Sequence, residues 1–208
     1  MKKTTILAGT TAALAAGALL VPQGAANAAE KVKFGAALNP SVQPSNSLPG
    51  LGCPGMGVDP TCSFVQNEAY GRPGDGHKAP VSGTLRKVRV ISGGSGSFRL
   101  QLVKARYNAG MGYWEGRSKA VGPVLHVEGQ QPENWDTDTY RVEKFRVNIP
   151  IRRGWQLSMI SNTTSAVRCS SGGANTLMFQ SPLASGEGFR PASDYDGCWT
   201  LIEGVIRR

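Results

Sequence analysis

Apolar and polar residues alternate in several short stretches of this chain. In residues 98–102 (FRLQL) and 145–149 (FRVNI) every second side chain is apolar, and residues 84–91 follow a similar pattern. A period of two places the apolar side chains on one face of a β-strand and the polar ones on the other. Further strands are predicted at residues 63–66, 124–127, 156–161, 176–180 and 199–206. The pattern therefore predicts about eight short strands.

Glycine and proline interrupt nearly all the rest of the chain, which has 27 glycines and 13 prolines. Many short strands separated by turn residues are typical of an all-β protein, here an antiparallel two-sheet β-sandwich of jelly-roll-like form. Residues 92–97 (SGGSGS) predict a flexible hairpin connection between two of the strands. Farther along, a strand is expected to end at Pro150, the chain to reverse at Gly154, and the next strand to begin at Trp155.

The chain divides into three segments by composition. Residues 1–28 read as a secretory signal peptide, with Lys2 and Lys3 before an apolar run and a small-x-small cleavage pattern at 26–28. Residues 29–61, rich in proline and glycine, predict an extended leader, and residues 62–208 the β-sandwich domain. We therefore expect a secreted, extracellular protein, and no later apolar run reaches the roughly 18 residues of a membrane span.

The four cysteines fit an oxidising compartment. An even number in an exported chain indicates two disulfides, for which three pairings are possible. We favour Cys53–Cys62 with Cys169–Cys198; a crossed pairing would instead fasten the first strand to the last. Zinc binding is not expected, because the chain has no C-x-x-C spacing.

Basic residues outnumber acidic ones. The formal charge is +9, and loss of Lys2 and Lys3 with the signal peptide lowers it by two. Outside the cell such a charge attracts wall polyanions and acidic polysaccharides, whereas nucleic acid is not an expected partner. The cations would form one binding face if the outward sides of neighbouring strands align: Arg86, Lys87, Arg89, Arg99, Arg141, Lys144, Arg146, Arg152 and Arg153.

Aromatic residues in predicted loops are a second candidate contact surface. Flat apolar rings can stack on pyranose faces while nearby polar groups hydrogen-bond to hydroxyls. The predicted ligand-binding residues are Tyr107, Tyr113, Trp114, Trp135, Asp136 and Tyr140. The alternative is that these rings cap the ends of the sandwich core. Trp155 and Trp199 fall in predicted strands and are interpreted as core residues.

Two pairs of aspartates offer hard oxygen ligands at positions i and i+2. Asp136 with Asp138, and Asp194 with Asp196, could each contribute to a calcium site, although neither completes an EF-hand loop. No other cofactor is expected. The second pair, which precedes a glycine and a predicted strand, is also ordinary turn chemistry.

The chain shows little sign of catalytic machinery. It has two histidines, His77 in a loop expected to be exposed and His126 in a strand, and no G-x-S-x-G elbow. We therefore expect a non-catalytic role, the binding of a cell-surface or extracellular polymer. One alternative is a small polysaccharide hydrolase using Glu133, Asp136 or Asp138; another is a structural module that binds a partner chain.

Two motifs carry a resemblance to known proteins. Residues 149–157 (IPIRRGWQL) form a strand, a proline-glycine turn and the start of a second strand, and residues 98–102 follow a glycine-rich connection. Here the chain resembles a loose group of uncharacterised secreted bacterial β-sandwich proteins, over about residues 62–207. It departs from that group at Trp155, where aspartate is more usual. The resemblance implies a jelly-roll-like fold and transfers no catalytic residue.

Overall fold

The computed structural model describes residues 30–38, 53, 61–69, 71–72, 74–130, 141–162 and 166–208. They form eleven β-strands and a single-turn 3-10 helix at Gly74–His77. The strands are β1 (Lys31–Gly35), β2 (Cys62–Gln66), β3 (Gly83–Ile91), β4 (Gly96–Asn108), β5 (Tyr113–Val127), β6 (Val142–Ile151), β7 (Gln156–Ser161), β8 (Cys169–Gln180), β9 (Arg190–Pro191), β10 (Asp194–Thr200) and β11 (Ile202–Arg207).

These strands form two packed antiparallel sheets. The four-stranded sheet has the order β1-β11-β3-β6, and the seven-stranded sheet has the order β10-β8-β2-β7-β4-β5-β9. If β8, β9 and β10 are set aside and the other eight strands are renumbered in chain order, the sheets become 1-8-3-6 and 2-7-4-5. That order is a jelly roll. The predicted fold class is confirmed, with three additional strands inserted before the last one.

The main core lies between the sheets. Phe34 and Leu85 of the four-stranded sheet and Phe64 and Leu100 of the seven-stranded sheet are almost fully buried in one cluster. The apolar residues of the alternating stretches belong to it: Phe98, Leu100, Leu102, Val147 and Ile149 are buried, and Phe145 packs against them. Each large side chain buried here contributes about 1.5–3 kcal/mol, which makes this cluster the main source of stability.

The seven-stranded sheet also closes on itself at one end. The Ala192 amide donates to the Trp114 carbonyl of β5 at 2.8 Å, and the next amide, Ser193, donates to Met178 of β8 at 2.8 Å. The segment that carries β9 and β10 therefore joins both sides of the sheet. It encloses a second apolar cluster, composed of Val65, Val103, Ala105, Leu177, Phe179 and Leu183.

Close packing in this second cluster requires a glycine. A Cβ atom at Gly116 would lie 2.5 Å from Cζ of the Phe179 ring, a distance at which one of the two must move. Beside the cluster, the buried Gln101 side chain accepts a hydrogen bond from Ser63 Oγ at 2.7 Å and donates to the Leu183 carbonyl at 2.8 Å. The outward face of this sheet is thus largely packed and hydrogen-bonded within the molecule.

Strand β1 lies where the sequence predicted a leader. Lys31–Gly35 pairs with β11, and Phe34, Ala36 and Leu38 are buried. The folded body therefore includes residues 30–38 and does not start at Cys62. The physical reason is that Phe34 packs in the main core with Leu85. The prediction missed this strand because the residues that follow it are rich in proline and glycine.

Other connections also differ from expectation. The residues between β3 and β4 join the two sheets, because β3 pairs with β11 and β6 whereas β4 pairs with β5 and β7; they are not a hairpin. The predicted strand over 199–206 is divided at Leu201. The turn at Gly154 is confirmed with φ +82°, and β7 begins at Gln156.

Both favoured disulfides are present. Cys53–Cys62 attaches the segment before β2 to the body, and the Cys53 amide also donates to Asn162 O at 2.8 Å. Cys169–Cys198 links β8 to β10 and so closes the inserted strands at their base. Loop-entropy models assign a crosslink over this 29-residue separation about 3–4 kcal/mol.

Candidate functional site

The outer face of the four-stranded sheet is strongly basic. Its register places Lys33, Val205, Lys87 and Arg146 in one row across the four strands, while Lys31 lies opposite Arg207 in the next row. The basic residues of these strands, called the basic face below, are Lys31, Lys33, Arg86, Lys87, Arg89, Lys144, Arg146 and Arg207. Neighbouring strands are about 5 Å apart and alternate residues about 7 Å apart. The face is therefore a two-dimensional array of cations.

Its acidic residue Glu203 is already neutralised. The side chain is 1% exposed and accepts hydrogen bonds from Arg89 Nη1 and, at 2.9 Å, from Arg72 Nη2. Lys33 Nζ lies 3.9 Å from the same carboxylate. Glu143, the other acid of these strands, accepts a hydrogen bond from the Glu128 amide at 3.0 Å at the rim. Neither carboxylate cancels the charge of the remaining cations.

A groove of about 480 Å³ crosses the basic face. Its charged lining residues are Lys31, Arg86, Lys87, Arg146 and Arg207, and none of these five takes part in a salt bridge among the residues that the structure describes. Val147, Val205 and Ile206 line the rest of it. The groove can accept anionic groups at several neighbouring points.

Five of the nine cations predicted to form one binding face lie together on the four-stranded sheet. Arg86, Lys87, Arg89, Lys144 and Arg146 lie on the adjacent strands β3 and β6. Arg99 instead lies on β4 of the other sheet, and Arg141, Arg152 and Arg153 lie outside the strands. Sequence analysis missed Lys31, Lys33 and Arg207, although the alternation of Lys31 and Lys33 with Val32 and Phe34 is a strand signal.

Three of the predicted ligand-binding residues come together. Tyr107, Tyr113 and Trp114 line a cavity of about 460 Å³ with Asp194, where β9 and β10 meet the end of the β4–β5 hairpin. The Tyr107 and Trp114 rings are 5.6 Å apart in an edge-to-face arrangement. Tyr107 is 53% exposed and does not cap a core, whereas Trp114 is partly buried against the second apolar cluster, as the capping alternative expects. The three residues lie at facing strand ends and not in one loop.

A larger cleft of about 690 Å³ adjoins this cavity through Trp114, which lines both. Trp199, predicted as a core residue, is half-buried and lines the cleft. The cleft residues from the segment that follows β2 include Asn67, Arg72, Asp75, His77 and Lys78. The pairs Arg72–Glu203 and Asp75–Lys78 bring their charged atoms to 2.9 and 2.7 Å. We call the two cavities together the Trp114 cleft.

His77 is buried, contrary to the expectation of an exposed loop. Its side chain is 6% exposed, and neither ring nitrogen completes a hydrogen bond with a described residue. Burial lowers the pKa of His77 to about 4, and the Lys78 ammonium acts in the same direction, while Asp75 and the Gly74 carbonyl oppose the change. The imidazole is therefore neutral at pH 7. Its polar local sequence, GDGH, gives no sign of this burial.

Several predicted residues cannot be placed in these sites. Trp135, Asp136, Asp138, Tyr140 and Glu133 lie outside the described residues, as does the signal peptide. Asp194 lines the smaller cavity, and Asp196 lies in β10 and not in a turn. No group of three His, Cys, Asp or Glu residues suited to a metal ion occurs in the described ranges.

The fold and these surfaces define a disulfide-linked jelly-roll β-sandwich with one basic sheet face and one aromatic cleft. No protein-family model, curated protein or solved structure matches the chain. The resemblance to secreted bacterial β-sandwich proteins stays a prediction. Within the described ranges no helix is long and apolar enough to cross a membrane.

Proposed function

We propose that the protein is a secreted, non-catalytic binding protein that attaches to an extracellular anionic polysaccharide or wall polyanion through the basic face. The observation that carries this proposal is the alignment of cations from β1, β3, β6 and β11 on one open surface. Secretion is supported by the signal-peptide pattern of residues 1–28 and by the two disulfides.

Electrostatics favours a polymer over a single anion. One exposed ion pair contributes little in water, because both partners are well solvated and salt screens them. A chain with regularly spaced carboxylates, sulfates or phosphates meets several cations at once, so many weak contacts add up to a stable complex. The spacing of about 5–7 Å between cations on the sheet suits such a chain.

The most direct experiment compares dextran sulfate with uncharged dextran of the same length. These polymers share a backbone and differ in charge. We expect binding to dextran sulfate only, with an affinity that falls steeply as salt rises from 50 to 300 mM. Replacing two cations of the central row, Lys87→Gln with Arg146→Gln, should weaken it about tenfold or more, at roughly 1 kcal/mol per cation near an anionic surface.

A matched control changes the same net charge elsewhere. Arg99 and Lys104 are exposed on β4 of the seven-stranded sheet, so Arg99→Gln with Lys104→Gln should weaken binding by no more than about threefold. Equal losses in both double variants would contradict a localised site. Equal affinity for uncharged dextran, or tighter binding to a single-stranded DNA 20-mer than to dextran sulfate, would also overturn the proposal.

A further inference from the structure

The Trp114 cleft differs from the basic face in its charge balance. The titratable residues that line the larger cavity are Glu68, Arg72, Asp75, His77 and Lys78. With His77 neutral, the larger cavity has two carboxylates and two cations, and Asp194 in the smaller cavity leaves the cleft as a whole with one more acid than base. Two of these groups, Asp75 and Lys78, are also paired with each other. A ligand in this cleft therefore meets apolar surface and no excess of cations, whereas a ligand on the basic face meets a net positive field.

Apolar surface in the cleft comes from tryptophan. Trp114, at the start of β5, and Trp199, in β10, both line the larger cavity, and Trp114 also lines the smaller one with Tyr107 and Tyr113. They are brought together because the segment after β9 bonds to β5 and to β8, the strand paired with β10. Half-exposed indole rings present a flat apolar face, which suits ligands that are apolar on one side.

Buried atoms of Arg72 and His77 lack hydrogen-bond partners among the described residues, although Arg72 Nη2 is bonded to Glu203. Nε of Arg72 and both ring nitrogens of His77 are shielded from solvent and complete no hydrogen bond of good geometry with a described residue, although the Gly74 carbonyl is close enough to the imidazole to oppose the lowering of its pKa. Most buried polar atoms in native proteins are hydrogen-bonded, and an exception calls for an explanation such as an ordered water, an ion, strain or a functional role. A neutral imidazole offers one donor and one acceptor, and Arg72 Nε offers a donor. A hydroxyl group, which both donates and accepts, matches this set.

We propose that the Trp114 cleft is a second binding site, for an uncharged polysaccharide chain, with pyranose rings stacked on Trp114 and Trp199 and hydroxyls hydrogen-bonded near His77 and Arg72. Two adjoining cavities that share Trp114 fit a chain of several rings better than one sugar. The site lies at the closed end of the seven-stranded sheet and borders the basic face at the Arg72–Glu203 ion pair. Its ligand differs in chemistry from the polyanion proposed above.

Length dependence tests the site. The probes are uncharged β-glucan, mannan and chitin oligosaccharides, each as mono-, tri- and hexasaccharide, titrated against the full chain by calorimetry and by tryptophan fluorescence. At least one series should bind with an affinity that rises tenfold or more from monosaccharide to hexasaccharide. In that series Trp114→Ala and Trp199→Ala should each weaken hexasaccharide binding at least tenfold, and Trp114→Phe should restore part of the loss.

Two controls separate this site from the basic face and from misfolding. Lys87→Gln with Arg146→Gln should leave hexasaccharide binding unchanged, and both tryptophan variants should retain dextran sulfate binding, which also reports that they are folded. If Trp199→Ala does not fold, Trp199→Phe takes its place, with a smaller loss expected. The proposal would be overturned if no oligosaccharide of the three series bound at a concentration of 10 mM, or if binding were unchanged in the Trp114 and Trp199 variants. Either result would leave the polyanion site intact.

Discussion

The two sheets of the sandwich use their outward faces in opposite ways. The four-stranded sheet leaves an array of cations open to solvent, with Glu203 buried beneath it. The outer face of the seven-stranded sheet is covered: Phe179 and Gln101 are buried there, and the segment that carries β9 and β10 joins the two sides of the sheet over them. The comparison shows how one jelly roll can present both a charged sheet face and an aromatic cleft.

The insertion explains the difference. Strands β8, β9 and β10 add to the seven-stranded sheet alone, and the disulfide Cys169–Cys198 holds their base. They supply Leu177 and Phe179 to the second cluster and Trp199 to the cleft. The four-stranded sheet has no such addition among the described residues, so its polar side chains stay at the surface.

The largest expected effect is on the second apolar cluster. Phe179→Ala should lower the free energy of unfolding by about 3–5 kcal/mol, because it leaves a cavity beside Gly116. The control Val205→Ala removes an apolar residue from the basic face, where it is partly exposed, and should cost about 1 kcal/mol or less. Urea unfolding measures both. Equal losses would show that the closed end adds no second core.

A smaller loss is expected at the buried carboxylate of the basic face. Glu203→Gln removes the charge that Arg72 and Arg89 share and should cost about 2–3 kcal/mol. The exposed pair Glu128–Arg141 is the control: Glu128→Gln should cost about 0.5 kcal/mol. Thermal and urea unfolding can compare them. If the two variants are equally stable, Glu203 does not organise the basic face.

The pH dependence of stability distinguishes the cleft from the rest of the molecule. His77 titrates near 6.5 when unfolded and near 4 when folded. Between these values the unfolded chain binds the additional proton, so stability falls as pH drops, by at most about 1.4 kcal/mol per pH unit. Above pH 6.5 this contribution is constant.

His77→Gln removes the titratable imidazole. The free energy of unfolding, measured with urea at each pH, should therefore fall less steeply between pH 6.5 and 4 in this variant. His126→Gln, at an exposed histidine of β5, is the control for the loss of a histidine side chain elsewhere in the fold. An unchanged slope in the His77 variant would mean that the folded imidazole protonates as readily as the unfolded one.

Local alternation predicted those parts of the fold in which one side of a strand is buried. The stretches 98–102 and 145–149 are such strands, and their apolar residues do face the main core. Alternation did not reveal most of β5, where Gly116, Gly122 and Pro123 break the pattern. It also could not show that 92–95 joins two sheets, because pairing between distant strands leaves no local signal.

The residues of the candidate sites also fall into two groups, those that the sequence predicted and those that it did not. The cations of β3 and β6 were predicted, since charged residues on alternating strands must face outward. Tyr107, Tyr113 and Trp114 were predicted from their aromatic character, but Trp199 was assigned to the core and His77 to an exposed loop. Both errors have one cause: burial there depends on how the inserted strands meet the segment after β2, which is set by tertiary packing.

One measurement tests the central claim, that a polyanion binds the basic face and not the Trp114 cleft. Dextran sulfate is titrated into the labelled protein, and amide and indole N–H signals are followed by two-dimensional NMR. We predict shifts at Lys31, Lys87, Arg146 and Arg207, with the indole signals of Trp114 and Trp199 unchanged. Largest shifts at those indoles, with the four-stranded sheet unaffected, would contradict the account.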